Sequence, residues 1–449
     1  MRKRSGLALW ILLAGTLLIK AVVLLQLHDH ILLQPSPVLD DGVYVGLASR
    51  VASGDLAAGP DVYFVSPFYI YFMALVFSLT GGSTLAVRAV QVGLGTAAVG
   101  LVYATTRRWF GERSALAAGV LAALTGLFSF FEILLLQTAV DPFLTALSLY
   151  ALTLAIRSGG LRWPPIAGAC IGLLVMNRPN ALPFVAVAVA GLWLLRRDRR
   201  GAARAASLAL GAVLVIAPVT LRNGLVAGDW VLISSHGGLY LYIGNNSIAD
   251  GTYRAVEGIT PSIQGQLVDS RSVAERAAGR TMEPSEVSAY FAGRAFEWAR
   301  TNPGDALRLF LLKLAYVFNG ADLALNYSYT YFSLDEVTLL RLLVVGPWLL
   351  VPLGLAGLFA PVRVEGRAGF AVWTSFVPVY ALSVAVFFVS TRYRLPLLVP
   401  LCATSGAFVA WLIDAVLARR GRHLAVAAVA TASLALLANW PIGPDTGRA

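Results

Sequence analysis

Long apolar runs alternate with short arginine clusters along this whole chain, and a protein folding in water cannot hide so many segments of membrane-crossing length. The first run, residues 7–27, follows Arg2-Lys3-Arg4 and is long enough to cross a hydrocarbon core of about 30 Å. It exceeds the apolar stretch of a signal peptide and no small-x-small cleavage site follows it, so it is expected to remain as a span. Charged residues make up 13% of the chain against 58% hydrophobic, and the mean hydropathy is +0.73, which excludes an ordinary soluble domain. Cys170 and Cys402 both fall inside apolar runs and read as packing residues.

The net charge of +11 would suit nucleic acid, but much of the excess sits in short clusters between apolar runs. These are Arg2 to Arg4, Arg107-Arg108 with Arg113, Arg157 with Arg162, Arg196 to Arg204, Arg363 with Arg367, and Arg419 to Arg422. The positive-inside rule accounts for them, and no nucleic-acid partner is expected. If every cluster is cytoplasmic, an even number of crossings separates each consecutive pair. Two apolar stretches then cannot span: residues 67–79, too short, and residues 307–318, short and interrupted by Arg308 and Lys313. Both are expected as amphipathic helices lying in the outer interface.

The expected fold class is therefore an all-α polytopic membrane protein of about eleven transmembrane helices with extracytoplasmic juxtamembrane helices. The spans fall near 7–27, 85–105, 114–130, 139–156, 163–177, 181–195, 204–221, 339–360, 369–389, 394–417 and 423–440. Three regions follow: an N-terminal membrane module, 1–222, with an outer loop at 28–84; an outer segment, 223–338; and C-terminal membrane helices, 339–449. Within the outer segment, Val287, Tyr290, Phe291, Ala295 and Trp298 give one apolar face to a helix entered through Glu283-Pro284 and stopped near Asn302-Pro303. That helix is expected to pack on the membrane bundle. Leu239-Tyr240-Leu241-Tyr242, between polar turns, reads as a short strand or extended run.

Chemistry concentrates at the outer boundary. Asp40-Asp41-Gly42-x-Tyr44 leads into a helix over about 41–53; a carboxylate there either caps the helix or serves as general base on a hydroxyl, its neighbour orienting it or holding a metal. Glu132 and Asp141 bracket residues 133–140 in apolar surroundings, where ionisable groups are costly and mark a site unless they reach interfacial water. Arg178-Pro179-Asn180 and Arg392-Tyr393-Arg394-Leu395-Pro396 lie outside against the charge bias. Arginine forks of that kind suit phosphate oxygens, with snorkelling to lipid headgroups as the alternative.

The order of these motifs resembles the bacterial GT-C glycosyltransferases of the protein mannosyltransferase and aminoarabinose transferase type, glycosyltransferase family 39. The likeness is carried by Asp40-Asp41-Gly42-x-Tyr44, Ser66-Pro67-Phe68-x-x-Tyr71, Arg88, Arg107-Arg108-x-Phe110-Gly111, Asp141-Pro142, Asn177-Arg178-Pro179-Asn180 and Arg392-Tyr393-Arg394-x-Pro396. Gly238-Leu239-Tyr240-x-Tyr242-Ile243-Gly244-Asn245-Asn246 and Asn302-Pro303 are similar to segments of bacterial members as well. The family often has Asp-Glu where this chain has Asp40-Asp41. Its larger members carry a soluble C-terminal domain, and here the long central outer segment is the expected acceptor-side surface.

The resemblance implies a single inverting displacement on a polyprenyl-phosphate sugar at the outer face of the bacterial inner membrane. Asp40 is then expected to deprotonate the acceptor hydroxyl, with Asp41 orienting it or helping to hold a divalent cation, the one candidate cofactor. Arg178, Arg392 and Arg394, with Tyr393, are expected at the donor phosphate. Glu132, Asp141, Tyr44, Asn180, His236, Tyr242, Asn245 and Asn246 are expected around the sugar, the acceptor or the metal, Asp141 being the second metal candidate. Residues 67–79 and 307–318 would wall the path of the prenyl chain. The expected partners are that lipid donor, a glycan, lipid or protein acceptor, and membrane lipids. The competing readings are a polytopic transporter or flippase and a ligase or polymerase of diphosphate-linked glycans.

Overall fold

A computed structural model of the chain describes residues 2–36, 39–359, 364 and 366–443. Arg363, one of the arginines used to orient the chain, lies outside them, as do the side chains of Arg2, Lys3 and Arg4. Regular structure among the described residues is helical. The N-terminal part runs α1 (Arg2–Leu27), α2 (Asp40–Ala52), α3 (Pro67–Thr80), α4 (Thr84–Phe110), α5 (Glu112–Ala123), α6 (Gly126–Glu132), α7 (Asp141–Ser158), α8 (Trp163–Asn177), α9 (Leu182–Leu194) and α10 (Arg199–Val226). Five helices follow before the chain returns to the bundle: α11 (Gly237–Gly244), α12 (Ile263–Ala278), α13 (Pro284–Thr301), α14 (Pro303–Phe318) and α15 (Tyr329–Leu334). The last part is α16 (Pro347–Phe359), α17 (Arg367–Thr374), α18 (Phe376–Val386), α19 (Thr391–Leu417) and α20 (Gly421–Ala438).

Local chemistry sets these boundaries. Ser83 caps α4 by accepting from the Ala86 N–H at 3.2 Å, and Gly111 stops it in the left-handed region, with Arg107 and Arg108 at the negative end of the helix dipole. Asp198 caps α10 through the Gly201 N–H at 2.7 Å. In α13, Pro284 occupies the first turn and Glu286 reaches back to the Glu283 N–H at 2.9 Å, as the sequence signals require.

Seven helical stretches among the described residues are long and apolar enough to cross a membrane: Gly6–Leu27, Thr84–Phe110, Gln137–Ser158, Arg199–Val226, Arg367–Val386, Thr391–Leu417 and Gly421–Ala438. Each matches an expected span. The expected spans at 163–177 and 181–195 form as shorter apolar helices. The one expected at 114–130 is broken, because Gly126 N–H leaves the helix ladder to bond the Val345 carbonyl at 3.1 Å. The one expected at 339–360 becomes helical only from Pro347, after a 3-10 turn at Leu339–Leu342. Helix α3, at 14 residues, is too short to cross about 30 Å at 1.5 Å per residue. Close helix contacts rest on small residues: a methyl group at Gly168 or Gly211 would collide with the backbone of the facing helix, α10 or α8.

The bundle has two chemically distinct ends. At one end Arg113 pairs with Asp414 at 2.8 Å, Arg157 covers Trp109, and Arg204 donates to the Ala155 carbonyl, so three of the basic clusters meet beside the C-terminal end of α19. The other end carries Arg88, Asp141, Arg178 and Arg392, separated from the first by the lengths of α4, α7 and α19, about 40 Å for a 27-residue helix.

Three expectations for the outer segment are corrected. Leu239 to Tyr242 lies in helix α11, not in a strand, because Gly238 brings that helix against the Ser288 backbone of α13 too closely for any side chain. Helix α13 forms, but its apolar face packs on α11 and α12, and Phe388 and Tyr393 are among the residues through which this small core meets the membrane bundle. Lys313 of α14, read as an interfacial charge, turns inward and donates to the Gly244 carbonyl at 3.0 Å and Asn245 Oδ1 at 2.8 Å.

Candidate active site

A cavity of about 490 Å³ opens at the second end of the bundle, where the starts of α2, α7, α9, α11 and α19 converge. Of the residues singled out in the sequence it brings together Asp40, Tyr44, Arg178, Asn180, His236, Arg392 and Tyr393.

Asp40 stands in the first turn of α2, after the N-cap residue Leu39, where the helix dipole favours a carboxylate. It caps nothing. Its Oδ2 accepts from Arg392 Nη1 at 2.7 Å and its Oδ1 from Asn326 Nδ2 at 3.4 Å. Both members of the ion pair are largely buried, 16% exposed for Asp40 and 10% for Arg392. Arg392 occupies the first turn of α19, an end that disfavours cations, so its charge depends on Asp40 and on whatever anion enters the cavity. Asn326 adopts the left-handed conformation, φ 66°, that a short polar side chain tolerates best.

Arg178 follows α8 with extended backbone, and its side chain is fully enclosed. Nε donates to Asp141 Oδ2 at 2.6 Å and Nη2 to Thr138 Oγ1 at 2.5 Å. Asn177 completes the clamp by donating to Asp141 Oδ1 at 2.7 Å and to the Gln137 carbonyl at 2.9 Å. The Tyr393 ring lies 5.1 Å from the Arg178 guanidinium and 5.3 Å from that of Arg392, so one aromatic ring lies within cation–π reach of both.

Tyr44 donates to Gln137 Oε1 at 3.0 Å; burial beside Asp40 raises its phenol well above the ordinary range and keeps it a neutral donor. Asn180 donates to the Ser383 carbonyl at 3.2 Å. His236 Nδ1 lies 2.5 Å from the Phe64 carbonyl, with its ring edge-on to Tyr240 at 4.5 Å. Burial and the neighbouring Arg178 charge lower this imidazole to about 4, so it is neutral.

The remaining sequence candidates stand off the cavity, each for a physical reason. Asp41 is buried behind Asp40 and accepts from the Gly42 N–H at 2.9 Å and the Ser36 N–H at 3.5 Å; desolvation raises its carboxyl above the usual range. Glu132 pairs with Lys20 at 2.5 Å inside the bundle, each compensating the other's burial. Asp141 has both oxygens committed to Asn177 and Arg178. Arg394 turns the other way, donating to the carbonyls of Tyr316 at 3.0 Å and Ala321 at 2.6 Å, which ties the segment after α14 to α19. Asn245 bonds the Leu241 and Val386 carbonyls, Asn246 those of Tyr242 and Ile243, and Tyr242 lies under Arg294 at 4.5 Å.

Sequence reading missed Gln137, Thr138 and Asn326, and took Tyr240 only as part of a short extended run. A polar Gln-Thr pair opening an apolar span is the one signal that could have shown the first two. The apolar wall comes from Leu182, Pro183, Val231, Leu232 and Ile263, so it belongs to α9, the segment after α10 and α12, and not to α3 and α14 as expected. Among the described residues no three His, Cys, Asp or Glu side chains converge to hold a metal ion. With Asp141 engaged and Asp40 and Asp41 turned to different partners, these side chains do not fit a chelating site.

Residues 65–221 match the family model of the dolichyl-phosphate-mannose-protein mannosyltransferases, in agreement with the GT-C resemblance of the motifs. No curated protein sequence matches the chain significantly. Among solved structures it is similar to the oligosaccharyltransferase AglB of Archaeoglobus fulgidus in complex with an inhibitory peptide and a dolichol-phosphate (16% identity, TM-score 0.47, 97% of this chain and 55% of that one). It is also similar to ArnT of Cupriavidus metallidurans bound to undecaprenyl phosphate (17% identity, TM-score 0.39, 90% of this chain and 78% of that one). The chain thus spans about half the length of the archaeal protein.

Proposed function

We propose that this chain is an inverting glycosyltransferase that moves a sugar from a polyprenyl-phosphate donor to an acceptor hydroxyl at the extracytoplasmic face of the bacterial plasma membrane. The observation that carries the reading is the Asp40–Arg392 ion pair, 2.7 Å long, on the wall of a cavity that Arg178 also lines. A general base and two phosphate-compatible cations share one enclosed space, beside an apolar wall suited to an isoprenoid chain.

Donor phosphate is a better partner for an arginine fork than one carboxylate, so its arrival draws Arg392 away from Asp40 and frees the base. The acceptor hydroxyl gives its proton to Asp40 while its oxygen forms the new bond to the anomeric carbon. The bond from that carbon to the phosphate oxygen breaks, and its electron pair leaves with the lipid phosphate. Arg178 and Arg392 meet the charge that develops there, held by Asp141, Thr138 and Tyr393 so that little reorganisation is needed. One displacement inverts the anomeric configuration. Tyr44, held by Gln137, stands close enough to the cavity to orient either substrate.

The test is transfer of label from a panel of polyprenyl-phosphate sugars to a membrane extract by the native protein and by Asp40→Asn. Transfer by the native protein alone supports the reading and names the sugar. No transfer from any well-presented monophosphate donor would favour a diphosphate-linked glycan enzyme or a transporter.

A further inference from the structure

We propose that His236, with Asn180, reads the sugar of the lipid donor by accepting hydrogen bonds from its hydroxyl or amino groups, and so sets donor selectivity. The inference rests on the transferase reading above and concerns the acceptor atoms that line the cavity alongside the phosphate-binding arginines.

The direction of each hydrogen bond follows from its fixed partner. A peptide carbonyl can only accept, so the His236 nitrogen facing the Phe64 carbonyl carries the ring proton. The other nitrogen, Nε2, then has a lone pair and no proton. It has no hydrogen-bond partner among the described residues, and His236 lines the cavity. The ring cannot readily turn away, because Phe64 and Tyr240 pack on it at centroid distances of 5.9 and 4.5 Å. Burial beside Arg178, which lowers the imidazole to about 4, keeps it from gaining a second proton near neutral pH. The same logic fixes Asn180: its amide nitrogen faces the Ser383 carbonyl, which leaves Oδ1 as an acceptor.

The cavity therefore has two polarities. Arg178 and Arg392 offer only N–H donors and suit phosphate, whereas His236 Nε2 and Asn180 Oδ1 offer only lone pairs and repel it. A bound donor is oriented by this difference in hydrogen-bond character, its phosphate meeting N–H donors of the arginines and its hydroxyls the lone pairs of His236 and Asn180. A sugar lacking the hydroxyl that meets Nε2 would leave a buried acceptor unpaired, the kind of loss that discriminates strongly between analogues.

The test compares native protein, His236→Phe and His236→Gln. Phenylalanine keeps the ring contacts and removes the acceptor; glutamine restores an oxygen near the Nε2 position. Binding is measured directly for bare polyprenyl phosphate and for polyprenyl-phosphate hexoses and pentoses, alongside transfer where it occurs. The expected result is a loss of about 10- to 100-fold in affinity for the sugar-bearing lipid in His236→Phe, partial recovery in His236→Gln, and no change for bare polyprenyl phosphate. Asn180→Leu is expected to show the same selective loss. Equal weakening of both lipids, or of neither, in a native protein that transfers sugar would overturn the inference and leave the transferase reading standing. Selective weakening in a protein that transfers nothing would uphold it as a sugar-lipid site and overturn the transferase reading.

Discussion

Asp40 and Arg392 are 352 positions apart in the chain and 2.7 Å apart in the fold. The pair joins the first turn of α2 to the first turn of α19, so the proposed base and the proposed phosphate ligand hold one another until substrate arrives. Arg392→Ala is expected to raise the donor KM and lower kcat/KM by about 10²- to 10³-fold, since a desolvated charge partner is worth about 2–5 kcal/mol. Arg392→Lys keeps the charge but loses the fork, and an intermediate loss is expected. Combined with Asp40→Asn, the arginine change is expected to add little, because the two act on one event; steady-state kinetics of the double-mutant cycle checks this.

Asp141 acts through Arg178. Asp141→Asn leaves the guanidinium buried beside a neutral amide and is expected to cost about 3–5 kcal/mol of stability along with donor affinity. Thermal midpoint in detergent and donor KM are the readouts. A stable Asp141→Asn protein with unchanged KM would remove Asp141 from the clamp.

Glu132 is expected to serve folding and not chemistry. Lys20→Met or Glu132→Gln alone strands a buried charge, with an expected cost of about 3–5 kcal/mol each. The double variant strands none and is expected to recover most of that stability, with native transfer per folded molecule. Transfer lost in a well-folded double variant would return Glu132 to the active site.

Burial lowers the His236 imidazole to about 4, from 6.5 for the free side chain. Between those values the unfolded chain binds the extra proton and the folded one does not, so stability rises with pH across that window and the penalty is fully present below it. The contribution is about 1.4 kcal/mol per pH unit at most. The difference in unfolding midpoint between native protein and His236→Phe is expected to change between pH 4 and 6.5 and to be flat from 7 to 8. A difference independent of pH throughout would mean that the imidazole binds its proton equally well in the folded and the unfolded chain.

Much of this molecule follows from its sequence through local physics. Apolar runs of sufficient length must leave water, which gave the all-helical membrane class and the seven long crossing helices. Glu283-Pro284 and the stop at Asn302-Pro303 gave α13, because caps and proline act on their nearest neighbours, whereas α2 starts after Leu39 with no side-chain cap and its acidic pair turns to other partners. Only the tertiary structure decided how charges pair, since the energy of a buried charge depends on which chemical group meets it across the fold. Glu132 and Asp141 look alike along the chain, yet one meets Lys20 of α1 and the other Arg178 after α8. Arg392 and Arg394 are two residues apart and face opposite directions on α19, one toward Asp40 and the cavity, the other into carbonyls after α14. Helix periodicity permits both faces, and packing alone selects which arginine is left for a substrate.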